Sequence, residues 1–159
     1  SKRRLQDSIT TIALKDNLKE ELQQLKQNNK YIVLDVAGRD SAEFRSALLT
    51  ADVLIIPTQP SQTDIEVLPF VLRLVNTAKQ VNKNLKTFVV LNKAPTNNKS
   101  TEIDAALELL QQVKSVKTLN TILRDRKQFR DAMIEGKSVL EMGSSKAKDE
   151  LNEFLVEIL

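Results

Sequence analysis

Asp35 and Gly38, in the stretch KYIVLDVAGRDS at residues 30–41, are the residues best placed by type and spacing to do chemistry. An apolar run from Tyr31 through Leu34 ends on the carboxylate, and the first of only three glycines follows three positions later. A buried strand that ends in aspartate can hold or orient hydrated magnesium beside a nucleotide phosphate, the Walker B arrangement. A glycine just beyond it lets the backbone approach a phosphate oxygen, because no Cβ intervenes. The bland alternative is an aspartate that opens a turn. Asn92, at the end of the apolar run FVVL, is a second candidate, against the reading of a loop residue bonding its own backbone.

Composition narrows what else is possible. The 159 residues include no cysteine and no histidine, so a disulfide framework, a thiolate metal site and the commonest general base are all excluded. Any chemistry must run on carboxylates, lysines, hydroxyls or backbone amides. No apolar run reaches the ~18 residues that a membrane span requires, and SKRRLQDS has no signal-peptide apolar stretch, so the expectation is a cytoplasmic protein. The net charge of +3 is unevenly placed: residues 114–137 hold seven basic side chains against three acidic ones. Such a cluster can contact phosphates, or it can be a solvated, internally paired helix face.

The elements that must position these residues alternate. Asp16 suits a helix cap before Leu18, Leu22 and Leu25, and a strand is expected at residues 31–35. Asp40 or Ser41 then opens a helix with Phe44, Ala47, Leu48 and Ala51 on one stripe, and DVLIIP reads as a strand stopped by Pro57. Asp64 suits the cap of a long helix running to about Val81, apolar on more than one face and carrying Pro69. KTFVVL is a further strand, followed by a helix bearing Ile103, Ala106 and Leu110, a weak strand near residues 117–122, a short helix ended by Gly136, and a last helix with Ala147, Leu151 and Phe154. Continuous apolar strands between amphipathic helices predict a single α/β domain over residues 1–159, with a mostly parallel sheet flanked by helices.

The segments DVAGRDSAEFRSALLTADVLIIPTQPSQTDIEVL, FVVLNKAPT and ILRDRKQFRDAMIEGKSVLEM together resemble the ParA-type partition ATPases, the deviant-Walker group that includes MinD-like proteins. The resemblance covers nearly the whole chain from about Asp16. It implies a doubly wound P-loop NTPase-like sheet, ATP and Mg2+ as cofactors, a nucleotide-dependent homodimer that binds DNA nonspecifically, and a centromere-binding ParB-like partner that stimulates hydrolysis. A bacterial, nucleoid-associated location goes with it. By the same resemblance Asp35 matches the Walker B aspartate near the metal, Gly38 the glycine facing the γ-phosphate, and Asn92 the asparagine near adenine. Arg39 and Asp40 would line the dimer face. DNA contacts are expected from Arg124, Arg126, Lys127, Arg130 and Lys137. Asn92-Lys93-Ala94-Pro95 also resembles the guanine-reading NKxD of GTPases, but Pro95 stands in the place of the aspartate, which favours adenine.

The sequence departs from the family at its most specific motif. No KGGxGKT/S loop or DPQ motif is present, so the chain is expected to be N-terminally incomplete and, alone, to bind Mg-ATP very weakly and not to turn it over. EGKS at residues 135–138 imitates the end of a phosphate loop, but Asp131 occupies the required glycine position, and the fragment is expected to be a helix C-cap. Two other classes stay open: a noncatalytic α/β interaction module, and a MinD-like cell-division ATPase. The acidic tail, with Asp149, Glu150, Glu153 and Glu157, disfavours anionic lipid and fits core packing better.

Overall fold

The computed structural model describes residues 9–14, 18–37, 40–97, 101–113 and 116–159. The elements are α1 (Lys19–Asn28), α2 (Ala42–Thr50), β1 (Val53–Thr58), α3 (Gln62–Lys79), β2 (Lys86–Ala94), α4 (Thr101–Gln111), β3 (Lys117–Arg124), α5 (Lys127–Glu135), a short 3-10 turn (Val139–Glu141) and α6 (Lys146–Ile158). The strands form one parallel sheet in the order β1-β2-β3. The α/β class expected from the alternating pattern is the class observed.

Contacts divide the chain into two compact units. One comprises residues 12–54 and 67–87. Its core joins Phe44, Leu48, Val75, Ala78 and Leu85, and a second cluster joins Leu18, Leu22 and Ala47. The stripe on α2 forms as its spacing requires, and Ser41 caps that helix by accepting the Phe44 N–H at 3.1 Å. On α3 the buried positions are Leu68, Leu72, Val75 and Ala78, whereas Val67 and Phe70 are exposed. Of the second apolar face read in the sequence, Val71 and Leu74 are half-buried against the same core and Val67 is exposed.

The other unit comprises residues 1–11, 55–66 and 88–159. Within it β2 supplies Phe88 and Val90 to one face and, by the period of two, Val89 and Leu91 to the opposite face, all buried. Phe88, Val90 and Leu119 form a cluster with Ile55, Leu123 and, from α6, Phe154 and Ile158. A separate cluster of Ala132, Val139 and Ala147 is joined by Phe129, Met142 and Leu151.

Three expectations are corrected. Residues 31–35 form no strand: they pair with no other strand among the described residues. The apolar run there packs on one side only, so composition mimicked a strand that has no ladder. Pro57 does not stop β1, which continues to Thr58; β1 is an edge strand, where a missing N–H is tolerated. Asp64 lies inside α3: Ser61 accepts the Asp64 N–H at 3.3 Å, and Asp64 accepts the Gln59 N–H at 3.0 Å. Asp16 lies outside the described residues, and the N-cap position of α1 is Leu18, with no side-chain cap. EGKS is the expected helix end: Gly136 adopts the left-handed conformation at φ 67° and ψ 27°, open chiefly to glycine. Ser138 then caps the 3-10 turn in a capping box with Glu141.

Candidate nucleotide and nucleic-acid sites

Asp35 is carried on a segment with burial of period two. Ile32, Leu34 and Val36 are half-buried and pack against the Leu18, Leu22 and Ala47 cluster. Tyr31, Val33 and Asp35 take the alternate positions and are exposed, Val33 to 92%. The carboxylate is therefore placed on the open side of a segment anchored from beneath. Gly38 and Arg39 lie outside the described residues. Beyond them Asp40 accepts two hydrogen bonds from the Arg45 guanidinium, at 2.6 Å each. That bonding holds the Asp40 carboxyl below its usual range, with partial desolvation opposing it.

Asn92 occupies a different setting. It is half-buried within β2, directly before Lys93, whose φ of 52° puts a non-glycine residue in the left-handed region. The β2–β3 register slips here: Leu91 pairs with Ile122 and Ala94 with Arg124, so β2 carries one extra residue. The strand end is a bulge, a device that re-aims side chains next to binding sites. The Asp125 N–H donates to the Ala94 carbonyl at 2.8 Å and ties the bulged end to the chain leaving β3.

The basic residues of the 124–137 region are mostly charge-paired. Arg126 donates to Glu150 Oε1 at 2.6 and 3.0 Å, with both side chains largely buried. Glu150 also accepts the Arg124 N–H at 3.2 Å. Arg130 pairs with Asp125, Lys127 with Asp131 at 3.7 Å, and Lys137 with Glu135 at 2.9 Å. The Arg124 side chain forms no ion pair among the described residues. Arg126 is thus part of the packing between β3 and α6, while Lys127, Arg130 and Lys137 are exposed pairs, which contribute little to stability and exchange partners readily.

Two carboxylates of the acidic tail make bonds to β3 that the sequence does not announce. Besides Glu150, Glu157 of α6 accepts the N–H groups of Asn120 and Thr121 at 2.9 and 3.0 Å, the Asn120 amide at 3.1 Å and the Thr121 hydroxyl at 3.0 Å. It sits where β3 bulges: Val89 pairs with Thr118 and Leu91 with Ile122, so four steps on β3 oppose two on β2. Burial pushes the Glu157 carboxyl up, but the Asn120 and Thr121 N–H groups, the Thr121 hydroxyl and the Lys117 ammonium at 3.8 Å outweigh it and leave it below its usual value. Their partners lie 24 to 37 residues away, so no local pattern announces them.

The AAA domain family matches residues 3–89, more than half of the chain. Two relatives match over 135 residues, 83% of this chain. One is the maintenance of carboxysome distribution protein A of Halothiobacillus neapolitanus, 28% identical, and the other the sporulation initiation inhibitor protein Soj of Bacillus subtilis, 24% identical. The chain belongs to the ParA/MinD-type ATPase family. Members of this partition-type family use ATP and Mg2+. This family member spans 61% of the first relative's length and 52% of the second's.

The donor set in these residues does not by itself fit Mg-ATP. Asp35 is an exposed carboxylate, and no group of three or more Asp and Glu suited to a metal occurs among the described residues. The sequence has no glycine-rich loop whose amides and lysine would cradle phosphates. No step of nucleotide chemistry is therefore derived from them. Among the described residues, no helix is long and apolar enough to cross a membrane.

Proposed function

We propose that this protein serves as a DNA-segregation ATPase of the partition type, a nucleotide-switched homodimer that binds duplex DNA without sequence preference and acts with a centromere-binding ParB-like partner. The observation that carries the reading is the DVAGRDS segment, which lies inside the matched AAA domain with its aspartate on the open side of an anchored apolar segment. In this reading Asp35 orients magnesium, Gly38 faces the terminal phosphate, and Asn92 reads adenine from the β2 bulge. Arg124, Lys127, Arg130 and Lys137 meet DNA phosphates, and Arg126 holds the surface that bears them. No glycine-rich phosphate loop occurs in residues 1–159, and that feature favours a second reading, a noncatalytic interaction module.

Calorimetry separates the two. Residues 1–159 alone are expected to bind Mg-ATP more weakly than about 1 mM, because loop amides and lysine supply most phosphate affinity in such sites. The protein as its gene encodes it should bind Mg-ATP, gain affinity for arbitrary duplex DNA when it does, and lose that gain in Asp35→Ala. An encoded protein that binds DNA equally with and without nucleotide, and that shows no heat of ATP binding, refutes the ATPase reading.

A further inference from the structure

Whereas Arg126 and Arg130 are paired with carboxylates, another stretch carries cations that form no ion pair among the described residues. Residues 67–100 contain no aspartate or glutamate, yet carry Arg73, Lys79, Lys83, Lys86, Lys93 and Lys99. The first four fall in the unit built around Phe44, Leu48 and Val75. None of the four forms an ion pair among the described residues. Arg73 stacks over Phe70 at 5.7 Å, and Lys83 and Lys86 are exposed.

The turn that presents the lysines is firmly held. The Leu85 N–H donates to the Asn82 carbonyl at 3.2 Å, closing a turn with Lys83 and Asn84 at its tip. Asn82 donates its side-chain amide to the carbonyls of Leu48 and Ala51 at 3.0 and 2.8 Å, and Leu85 is buried. The Lys86 N–H donates to the Asp52 carbonyl at 3.0 Å. Beside it Lys26 reaches the Asp52 carboxylate at 3.3 Å and the Thr50 carbonyl at 3.4 Å, a fifth cation together with a counter-charge. Lys79 in the last turn of α3 suffices to complement that helix dipole; Lys83 and Lys86 lie beyond it. The remaining exposed side chains at the tip are a single apolar one, Val81, and Gln80 and Asn84, amides that donate to phosphate oxygens. An anionic lipid surface is normally bound by a helix with apolar residues opposite its basic face, and this turn has none of that length.

We infer that the α3–β2 turn, through Lys79, Lys83 and Lys86, is a second phosphate-contacting surface for the backbone of duplex DNA, additional to the 124–137 region. The inference rests on the DNA-binding part of the proposed function and gives it a location. Being made to phosphates, the contacts carry no base preference and weaken with salt, by about 0.9 in the log-log slope for each phosphate neutralised.

The test uses the encoded protein with a labelled random-sequence duplex, titrated by fluorescence anisotropy across a salt series in the presence of Mg-ATP. Lys79→Gln/Lys83→Gln/Lys86→Gln should lose at least about tenfold in affinity near 0.1 M salt and lower the slope by about 2 to 3. Lys→Arg at the same positions should restore both. Circular dichroism should show the same fold in all three proteins. Unchanged affinity and slope in the Gln variant, with wild-type protein still binding DNA, overturns this surface and leaves the proposed function standing. Wild-type protein that binds no DNA overturns both. Binding to anionic vesicles, reduced by the Gln variant, without any binding to DNA assigns the turn to a membrane and overturns the inference.

Discussion

Residues 31–37 and β2 are both apolar runs that lead to a polar candidate, Asp35 in one and Asn92 in the other, yet the chain treats them oppositely. Strand β2 lies between β1 and β3, and Val89, Val90 and Leu91 are at most 1% exposed. The segment before Asp35 has no ladder among the described residues, and Tyr31 and Val33 are 71% and 92% exposed. The difference teaches that apolar composition offers a strand but neighbours make one, since backbone N–H and C=O groups need partners on both sides before a run is locked. Asn92 is accordingly fixed by the sheet, whereas Asp35 is anchored from beneath alone.

The largest contrast should come from truncating each run. Leu91→Ala removes a fully buried side chain and should cost about 2–5 kcal/mol in urea unfolding, while Val33→Ala should change stability by less than about 0.5 kcal/mol. Equal costs would show that residues 31–37 are as well packed as the sheet.

A smaller effect should follow from the brace on the edge of β3. Glu157→Gln places an amide donor among four donors and should cost about 1–3 kcal/mol. Because the folded Glu157 carboxyl lies below its usual value of 4.5, its contribution is present above that value and is lost as pH falls through the folded one. Wild-type stability should therefore decline on acidification below about pH 4.5, and the variant should decline less steeply over the same range. Parallel pH curves would remove Glu157 as the source. The smallest effect belongs to the bulge: Lys93→Gly relieves a left-handed non-glycine residue and should raise stability by at most about 1 kcal/mol. A loss of stability would mean that the Lys93 side chain contributes packing beyond its backbone conformation.

These contrasts also mark how far the sequence could be read. Helix α2 was legible down to Ser41, because its cap and its stripe at Phe44, Ala47 and Leu48 are local signals. The false phosphate loop at EGKS was legible too, since Gly136 ends a helix and Ser138 and Glu141 form a capping box three residues apart. The missing strand at residues 31–35 was not, for pairing is decided by other parts of the chain. Glu150 and Glu157 were read as an acidic tail that packs, but their use as acceptors for β3 depends on a bulge that no spacing encodes. For the candidate site, the positions of Asp35 and Asn92 came from motif likeness; a paired helix face at 127–137 was one of the two sequence readings, and the fold supplied the individual partners, above all Glu150 for Arg126.

The proposed function makes the segment bearing Asp35 the nucleotide-responsive part of the molecule. Hydrogen exchange measured by mass spectrometry on the encoded protein, with and without Mg-ATP, tests it most directly. The account predicts that residues 88–91 exchange slowly in both states and that residues 31–40 change from fast to protected when nucleotide binds. Bound nucleotide with no change in exchange across residues 31–40 would contradict it.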